Sequence, residues 1–390
     1  MNEGPATIPF LDLKSQFESI RTEILDAVDR VLASGQFVGG EWVERFEEQF
    51  SRFVRSRYAI GVGSGTAALE LALKAICIEA GDEVIVPANS FFATAEAVSN
   101  VGARPVFADV DPMTFHLDVA SAERLVTPRT RAIIPVHLYG RAMHMAALQE
   151  LAERHRLTII EDAAQAHGTE LDGIRVGGSG RLTCFSFYPG KNLGAYGDAG
   201  AVTCDDAGHA ERLRLLRDHG SPAKYVHAIV GTNSRLDAIQ AAVLSAKLRY
   251  LQDWNARRLQ HAKVYAARFR NACIQIPDVP TGREHNFHLF VIRAKNRDAL
   301  KLYLQARGIG TGIHYPQPLH LTPAYQELGY PSRGSLPVSE ALASEILSLP
   351  MYPELTDSQI KQVSEVVLQF LDQAEAKELV SAGHGIAQLN

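Results

Sequence analysis

The sequence predicts an α/β protein: a large domain with a mostly parallel seven-stranded sheet between helices, followed by a smaller α+β domain. Three observations lead there. Short β-rich runs alternate with helix-like periodic stretches between residues 58 and 204, the order that lays parallel strands side by side with crossover helices. The chain has 390 residues, too many for one core when domains usually hold on the order of 100 to 200. Hydrophobic residues make up 46% and charged residues 21%, a globular balance with no excess for a membrane bundle or a disordered chain.

The elements follow in order. Phe17, Ile20, Ile24, Val28 and Val31 recur at spacings of three and four, which predicts a helix over Ser15–Ala33 ended by Gly35. An amphipathic stretch through Phe46, Phe50 and Phe53 comes next. The predicted strands are Tyr58–Val62, Glu83–Pro87, Pro105–Asp109, Ala132–Val136, Leu157–Glu161, Thr183–Phe187 and Gly200–Cys204. Helices are predicted among them at Thr66–Ala75, Ala93–Asn100 and Met143–His155. One long helix, Leu236–Trp254, apolar at Ile239, Val243, Leu244 and Leu248, leads out of this domain. In the smaller domain Phe287–Ile292 reads as a strand, and Asp298–Arg307 and Ser358–Ala374 as helices. The expected division is 1–250, 251–377 and a flexible tail at 378–390, rich in Gly, Ala and polar residues.

Charge and composition narrow the function. Thirty-nine Lys and Arg against 44 Asp and Glu leave a net charge of -5, which offers no basic field for a nucleic-acid backbone. The first residues lack the order of a signal peptide and no stretch is long enough to span a bilayer, so no membrane partner and a cytoplasmic location are expected. Cys77, Cys184, Cys204 and Cys273 form no Cys-x-x-Cys pair and read as buried thiols. The histidines form no His-Glu-x-x-His pattern, and His314 and His320 flank a Pro-containing loop, so no metal is expected.

Three motifs carry chemistry. Gly61-Val62-Gly63-Ser64-Gly65-Thr66 lies between a strand and a helix, where small residues and unpaired N–H groups suit one phosphate, or make a plain tight turn. A dinucleotide fingerprint would need Gly or Ala at Thr66 and an acid ending the next strand, where Pro87, Ala88 and Asn89 stand. Glu161 and Asp162 end an apolar strand; Asp162 is placed to pair with a protonated pyridine nitrogen, or to cap a helix. Ser186-Phe187-Tyr188-Pro189-Gly190-Lys191-Asn192-Leu193-Gly194 sets a lysine in a glycine-bounded turn. Such a lysine, when neutral, forms a Schiff base with an aldehyde.

With Ser64-Gly65-Thr66, Ser90-Phe91-Phe92-Ala93-Thr94, Glu161-Asp162-Ala163-Ala164-Gln165-Ala166-His167-Gly168, the lysine turn and Asn233-Ser234-Arg235-Leu236-Asp237 in this order, the chain resembles the DegT/StrS-type aminotransferases. These are the nucleotide-sugar branch of the fold-type I, aspartate aminotransferase-like, pyridoxal-phosphate enzymes. The resemblance covers Ile8 to about Gln373. It implies that Lys191 binds the cofactor, Asp162 faces the pyridine nitrogen, Gln165 approaches the ring hydroxyl and Phe91 stacks on the ring. Gly65, Thr66 and Ser186 would hold the phosphate, with Asn233 reaching in from a second subunit of a homodimer whose active sites lie at the interface. Tyr188, His314 and Tyr315 become candidate sugar or nucleotide contacts, against local packing. Arg235 becomes a candidate for the donor's carboxylate, against an ion pair with Asp237 or another acid. Ala199 stands where the family commonly has a second glycine.

The resemblance also implies a transfer in two halves, with pyridoxal phosphate passing through its aminated form, pyridoxamine phosphate. An amino donor, glutamate by resemblance, displaces Lys191, and the freed lysine moves the proton. The acceptor is a nucleotide-linked keto sugar. Relatives with histidine at this place act as sugar dehydratases, so Lys191 favours amino transfer. The segment from Gly312 to His320 points to dTDP-linked 3-keto-6-deoxyhexoses, with amination at C4 the alternative. A nicotinamide oxidoreductase and a non-catalytic cofactor-binding regulator are the rivals from other classes.

Overall fold

The computed structural model describes residues 7–386. Strands β1 (Tyr58–Val62), β2 (Glu83–Pro87), β3 (Arg104–Ala108), β4 (Thr130–Ile133) and β5 (Thr158–Asp162) come first along the chain. A short hairpin of β6 (Glu170–Leu171) and β7 (Ile174–Arg175) follows, then β8 (Leu182–Ser186) and β9 (Gly200–Cys204). Seven of these form one sheet in the order β1-β9-β8-β5-β4-β2-β3. Every neighbouring pair from β3 to β8 is parallel, and β9 alone runs against its neighbours β8 and β1. The mostly parallel seven-stranded sheet is thus present, with predicted strand bounds displaced by three residues at most.

Alternation along the strands explains why both faces are covered. Ile60, Val86, Ile160 and Val202 pack on one side against Leu69 and Leu73 of the helix Gly65–Ala75. Ala59 and Ala201 face the other way, onto Phe46 and Phe50 of the helix Glu41–Val54 and Leu244 of the helix Ala238–Leu248. Glu47 sits in that otherwise apolar face, where its carboxylate accepts from the Gly61 N–H at 2.7 Å and pairs with Arg217.

Several elements depart from expectation. The first helix is two, Leu13–Ser19 and Arg21–Ser34, because Ile20 leaves the helical region at φ -130°. Periodicity hid the break, since Ile20 and Ile24 still reach the same patch beside Trp254. The exit helix likewise splits into Ala238–Leu248 and Leu251–Phe269, where the Tyr250 N–H turns back to the Lys247 carbonyl. In the C-terminal part, β10 (Phe290–Arg293) starts later than predicted, since Phe287 has φ +48°, outside strand geometry. It pairs antiparallel with β11 (Ile346–Leu349), which periodicity did not reveal. The closing helix runs Asp357–Ile386, through part of the expected tail; Ala374, Glu375, Ala376 and Lys377 are good helix formers. Residues 387–390 lie outside the described ones.

Ile8 forms a parallel bridge with Ile309 and joins the core of Tyr265, Phe290 and Leu347, so the N-terminal segment packs with the C-terminal part. Cys184 and Cys204 are buried as expected, whereas Cys77 and Cys273 are exposed just beyond helix ends. No helix among the described residues is long and apolar enough to cross a membrane.

Candidate active site

The parallel strands bring their carboxyl ends to one edge of the sheet, where α/β proteins hold their ligands. Antiparallel β9 begins at that same edge. A cavity of about 590 Å³ lies there, with the C-terminal part supplying its far wall through His288, His314, Tyr315 and Met351. This volume is that of a small-molecule site.

Ser64, Gly65 and Thr66 line the cavity where β1 passes into the helix Gly65–Ala75. The Ser64 hydroxyl accepts from the Ala67 N–H at 3.1 Å, which caps the helix. The N–H groups of Gly65 and Thr66 belong to the first turn and have no intrahelical acceptor. A Cβ at Gly65 would lie 2.5 Å from the Ser186 Cβ, so glycine is what lets the helix start against the end of β8. Ser186 lines the cavity beside it.

Asp162, the last residue of β5, is buried and turned into the cavity, while Glu161 faces the opposite side and binds His137, Ser179 and Arg181. One Asp162 oxygen accepts from the Thr94 hydroxyl at 2.8 Å and the other from the Ala164 N–H at 3.1 Å. Burial raises the Asp162 pKa, against the opposing effects of those two donors and of Lys191. A further cation brought close to such a carboxylate would favour its ionised form.

Lys191 lies in the turn after β8, and burial lowers its pKa to about 8, with Asp162 opposing. An amine so placed is partly neutral near pH 8, as imine formation and proton transfer both require. The imidazoles around it are held neutral by burial first and by the Lys191 charge second: His167 to about 3, His314 to about 4, and His288 well down from its usual value.

The Gln165 amide accepts from the Tyr139 N–H at 2.6 Å and donates to the Tyr315 hydroxyl at 3.3 Å. Tyr315 in turn lies against Phe91, ring centres 5.6 Å apart. Tyr188 lines the mouth and is exposed; His314 binds Ser348 at 2.8 Å and stacks on Phe10. Ten of the twelve expected site residues thus line one cavity. The other two do not. Asn233, expected to reach a second subunit, is exposed, and Arg235, weighed between the donor's carboxylate and an ion pair with Asp237 or another acid, is paired with Asp218 at 2.8 Å.

Sequence reasoning missed Arg258 and His288. Arg258 is 2% exposed, and its guanidinium donates to the carbonyls of Met351 at 2.7 Å and Phe287 at 3.2 Å, tying the helix Leu251–Phe269 to the cavity's far wall. Its signal was available: it falls between Trp254 and Ala262 on that helix's buried face, where an apolar residue is the rule. His288 binds the Asn192 side chain at 3.1 Å, beside Lys191 in the turn, and nothing in its local sequence marks it.

This donor set fits pyridoxal phosphate: a helix start and hydroxyl for a phosphate, an amine for an aldehyde, and a buried carboxylate for a ring cation. Comparison with known proteins agrees. Residues 18–368 match the DegT/DnrJ/EryC1/StrS aminotransferase family. Among curated relatives, a "pleiotropic regulatory protein" of Geobacillus stearothermophilus is 45% identical over 93% of this chain and 98% of its own length. The dTDP-3-amino-3,4,6-trideoxy-alpha-D-glucose transaminase of Streptomyces venezuelae is 47% identical over 94% and 97%. A UDP-N-acetyl-3-dehydro-alpha-D-glucosamine 3-aminotransferase of Acidithiobacillus ferrooxidans is 43% identical over 93% and 98%. Two solved structures are similar throughout. S. venezuelae DesV has a TM-score of 0.92 at 46% identity, covering 94% of this chain and 98% of that one. Bacillus subtilis NtdA, solved with bound pyridoxamine phosphate, has 0.88 at 33%, covering 95% and 86%. The chain therefore belongs to the DegT/DnrJ/EryC1/StrS aminotransferase family of pyridoxal-phosphate enzymes.

Proposed function

We propose that this protein moves an amino group from L-glutamate to C3 of a keto sugar carried on dTDP, a 3-keto-6-deoxyhexose. The observation that carries the reading is the meeting of Lys191, Asp162 and a helix start in one cavity of about 590 Å³. The two transaminases described above differ in nucleotide, dTDP in one and UDP in the other, but both names place the amino group at C3. Position is therefore the better supported half of the assignment, and C4 amination the alternative. The regulatory name of one relative keeps a non-catalytic role as a second reading.

When bound, pyridoxal phosphate supplies an aldehyde and a ring that accepts the electrons of a carbanion. The remaining roles fall to the chain. Gly65, Thr66 and Ser186 would hold the phosphate, and Asp162 would keep the ring nitrogen protonated. Gln165 would meet the ring hydroxyl and Phe91 would cover a ring face. Lys191 Nζ would take the donor's α-proton and return it to the carbon of the cofactor's aldehyde group, with water then releasing the donor as its keto acid. Running the same moves in reverse on a keto sugar leaves an amino sugar. Tyr188, His314 and Tyr315 orient that sugar from the cavity's mouth and far wall. The unit is a homodimer in which Asn233, and with it Arg235, serves the neighbouring subunit's cavity, consistent with their place outside their own. A reducing cytoplasm suits four free thiols.

The test is the visible spectrum of the purified holoenzyme. A band that bleaches with glutamate and returns with a dTDP-linked 3-keto sugar, and not with the 4-keto isomer, is expected. Return with only the 4-keto sugar overturns the position. A band indifferent to every donor supports the regulator instead.

A further inference from the structure

A second lysine sits beneath the turn that carries the first. Lys247 is 0% exposed, on the helix Ala238–Leu248, and its Nζ donates to the Gly194 carbonyl at 2.8 Å. The same nitrogen lies 4.1 Å from the centre of the Tyr196 ring. Among the described residues it has no carboxylate in salt-bridge contact, and Glu354 acts on it only from farther off. A long cationic side chain is costly to bury in this way, and nonpolar residues of similar length would pack as well. The carbonyl it reaches is what distinguishes it.

The turn also holds itself together, and Asn192 ties it outward to Asn255 and His288. Lys191 donates its N–H to the Tyr188 carbonyl at 2.8 Å, and Ala195 donates to Phe187 at 2.7 Å. Gly194 admits no side chain, since a Cβ there would fall 2.3 Å from the Pro189 oxygen. The segment leaving the turn is gripped again by Gln240, seven residues before Lys247 and so on the same helix face. Its amide accepts from the Tyr196 N–H at 2.8 Å and donates to the Tyr196 carbonyl at 3.3 Å. One helix face thus holds the outgoing strand of the lysine turn at two points.

We propose that Lys247 is a positioning residue for Lys191: it fixes the Gly194 carbonyl and thereby the path along which the Lys191 amine reaches its target. The proposal rests on Lys191 being the reactive amine. Burial first lowers the Lys247 pKa, to about 7, yet a neutral amine still donates to a carbonyl, so the grip does not need the charge.

Lys247→Met keeps the length of the side chain and removes the donor. In the holoenzyme, kcat should fall on the order of 10- to 100-fold, the cost of a misplaced reacting group, with the donor's KM little changed. The pH midpoint of the visible band should move by about half a unit or more, because the environment of the lysine nitrogen has changed. Lys247→Gln, which keeps a donor, should recover part of both. A Met variant with the wild-type kcat and midpoint overturns the proposal, as does a lowered melting temperature with neither changed. If Lys247→Met does not fold, Gln240→Leu removes the other grip on the same segment and should likewise move the band midpoint; an unmoved midpoint overturns the proposal. Failure of the functional reading looks different, since the wild-type band itself would then not respond to glutamate.

Discussion

Thr94 donates its hydroxyl proton to Asp162 at 2.8 Å, and this makes Ser90, 2.7 Å from the Thr94 oxygen, the donor in the bond behind it. The relay from Ser90 to Thr94 to Asp162 is fully buried and ends on a carboxylate whose pKa burial would otherwise raise further. The Thr94 bond thus favours the ionised form of Asp162 against the cost of its burial.

Thr94→Val removes that donor with almost no change of shape. Hydrogen bonds to charged groups contribute about 1.5–3 kcal/mol, so kcat should fall on the order of 10- to 100-fold. Thr94→Ser should retain most of the rate. Steady-state kinetics on both variants, with melting temperatures as the control for folding, give the comparison; a valine variant as fast as wild type would show that Asp162 needs no such support.

The buried amine makes a second prediction, about stability. Folded Lys191 loses its proton at about 8 and an ordinary lysine at 10.5. Between those values the unfolded chain holds more protons, so this group makes stability rise with pH there. Below about pH 8 both states are charged and the folded one bears the whole cost of burial. Cofactor-free Lys191→Met should therefore melt above the cofactor-free wild type at pH 7, and the gap should close as pH climbs from 8 towards 10.5. A constant gap across that range, or a methionine variant that melts lower, contradicts the assignment of cause.

Legibility followed periodicity. Strands of the central sheet were readable because each is a short apolar run bounded by turn residues, and their ends carry the motif residues Gly65, Asp162, Ser186 and Lys191. Helix breaks at Ile20 and Tyr250 were not, because both sides of each break keep their apolar residues facing the same core. Arg258 and His288 come from well after the lysine turn in sequence, and only the packing of the C-terminal part on the sheet brings them to the site; Lys247 reaches the turn from the helix Ala238–Leu248, which packs on the sheet itself. Local sequence marks Arg258 as a charge on a buried helix face but not what it meets, and it marks His288 not at all. Arg235 shows the converse: its neighbour in sequence is Asp237, and its partner in space is Asp218.

Asn233 yields a prediction about shared sites. It is exposed and lies outside its own chain's cavity, as a residue serving a neighbour would be. Lys191→Ala and Asn233→Ala should each be impaired alone. Refolded as a mixture, they form heterodimers in which one site has both an intact lysine and an intact asparagine. Activity should then recover to about one quarter of wild type, since half of the dimers are mixed and each has one whole site. Mixing without recovery, with heterodimers verified by differential tagging, would place Asn233 outside the partner's site.

Gly65 separates space from chemistry at the phosphate end. An alanine Cβ there would meet the Ser186 Cβ at 2.5 Å and its Oγ at 3.0 Å, so Gly65→Ala must push the helix start from the end of β8. Overpacking of this kind costs about 1–3 kcal/mol, and the displaced N–H groups should weaken cofactor binding about ten-fold or more. Adding Ser186→Gly removes both of the atoms nearest the new methyl group, leaving the Ser186 Cα at 3.1 Å. The double variant should regain much of the lost melting temperature. It should not regain cofactor affinity, because the hydroxyl proposed to hold the phosphate goes with the clash. Recovery of both in spectroscopic titrations with pyridoxal phosphate would mean that Ser186 acts by its size alone, and that the helix start holds the phosphate without it.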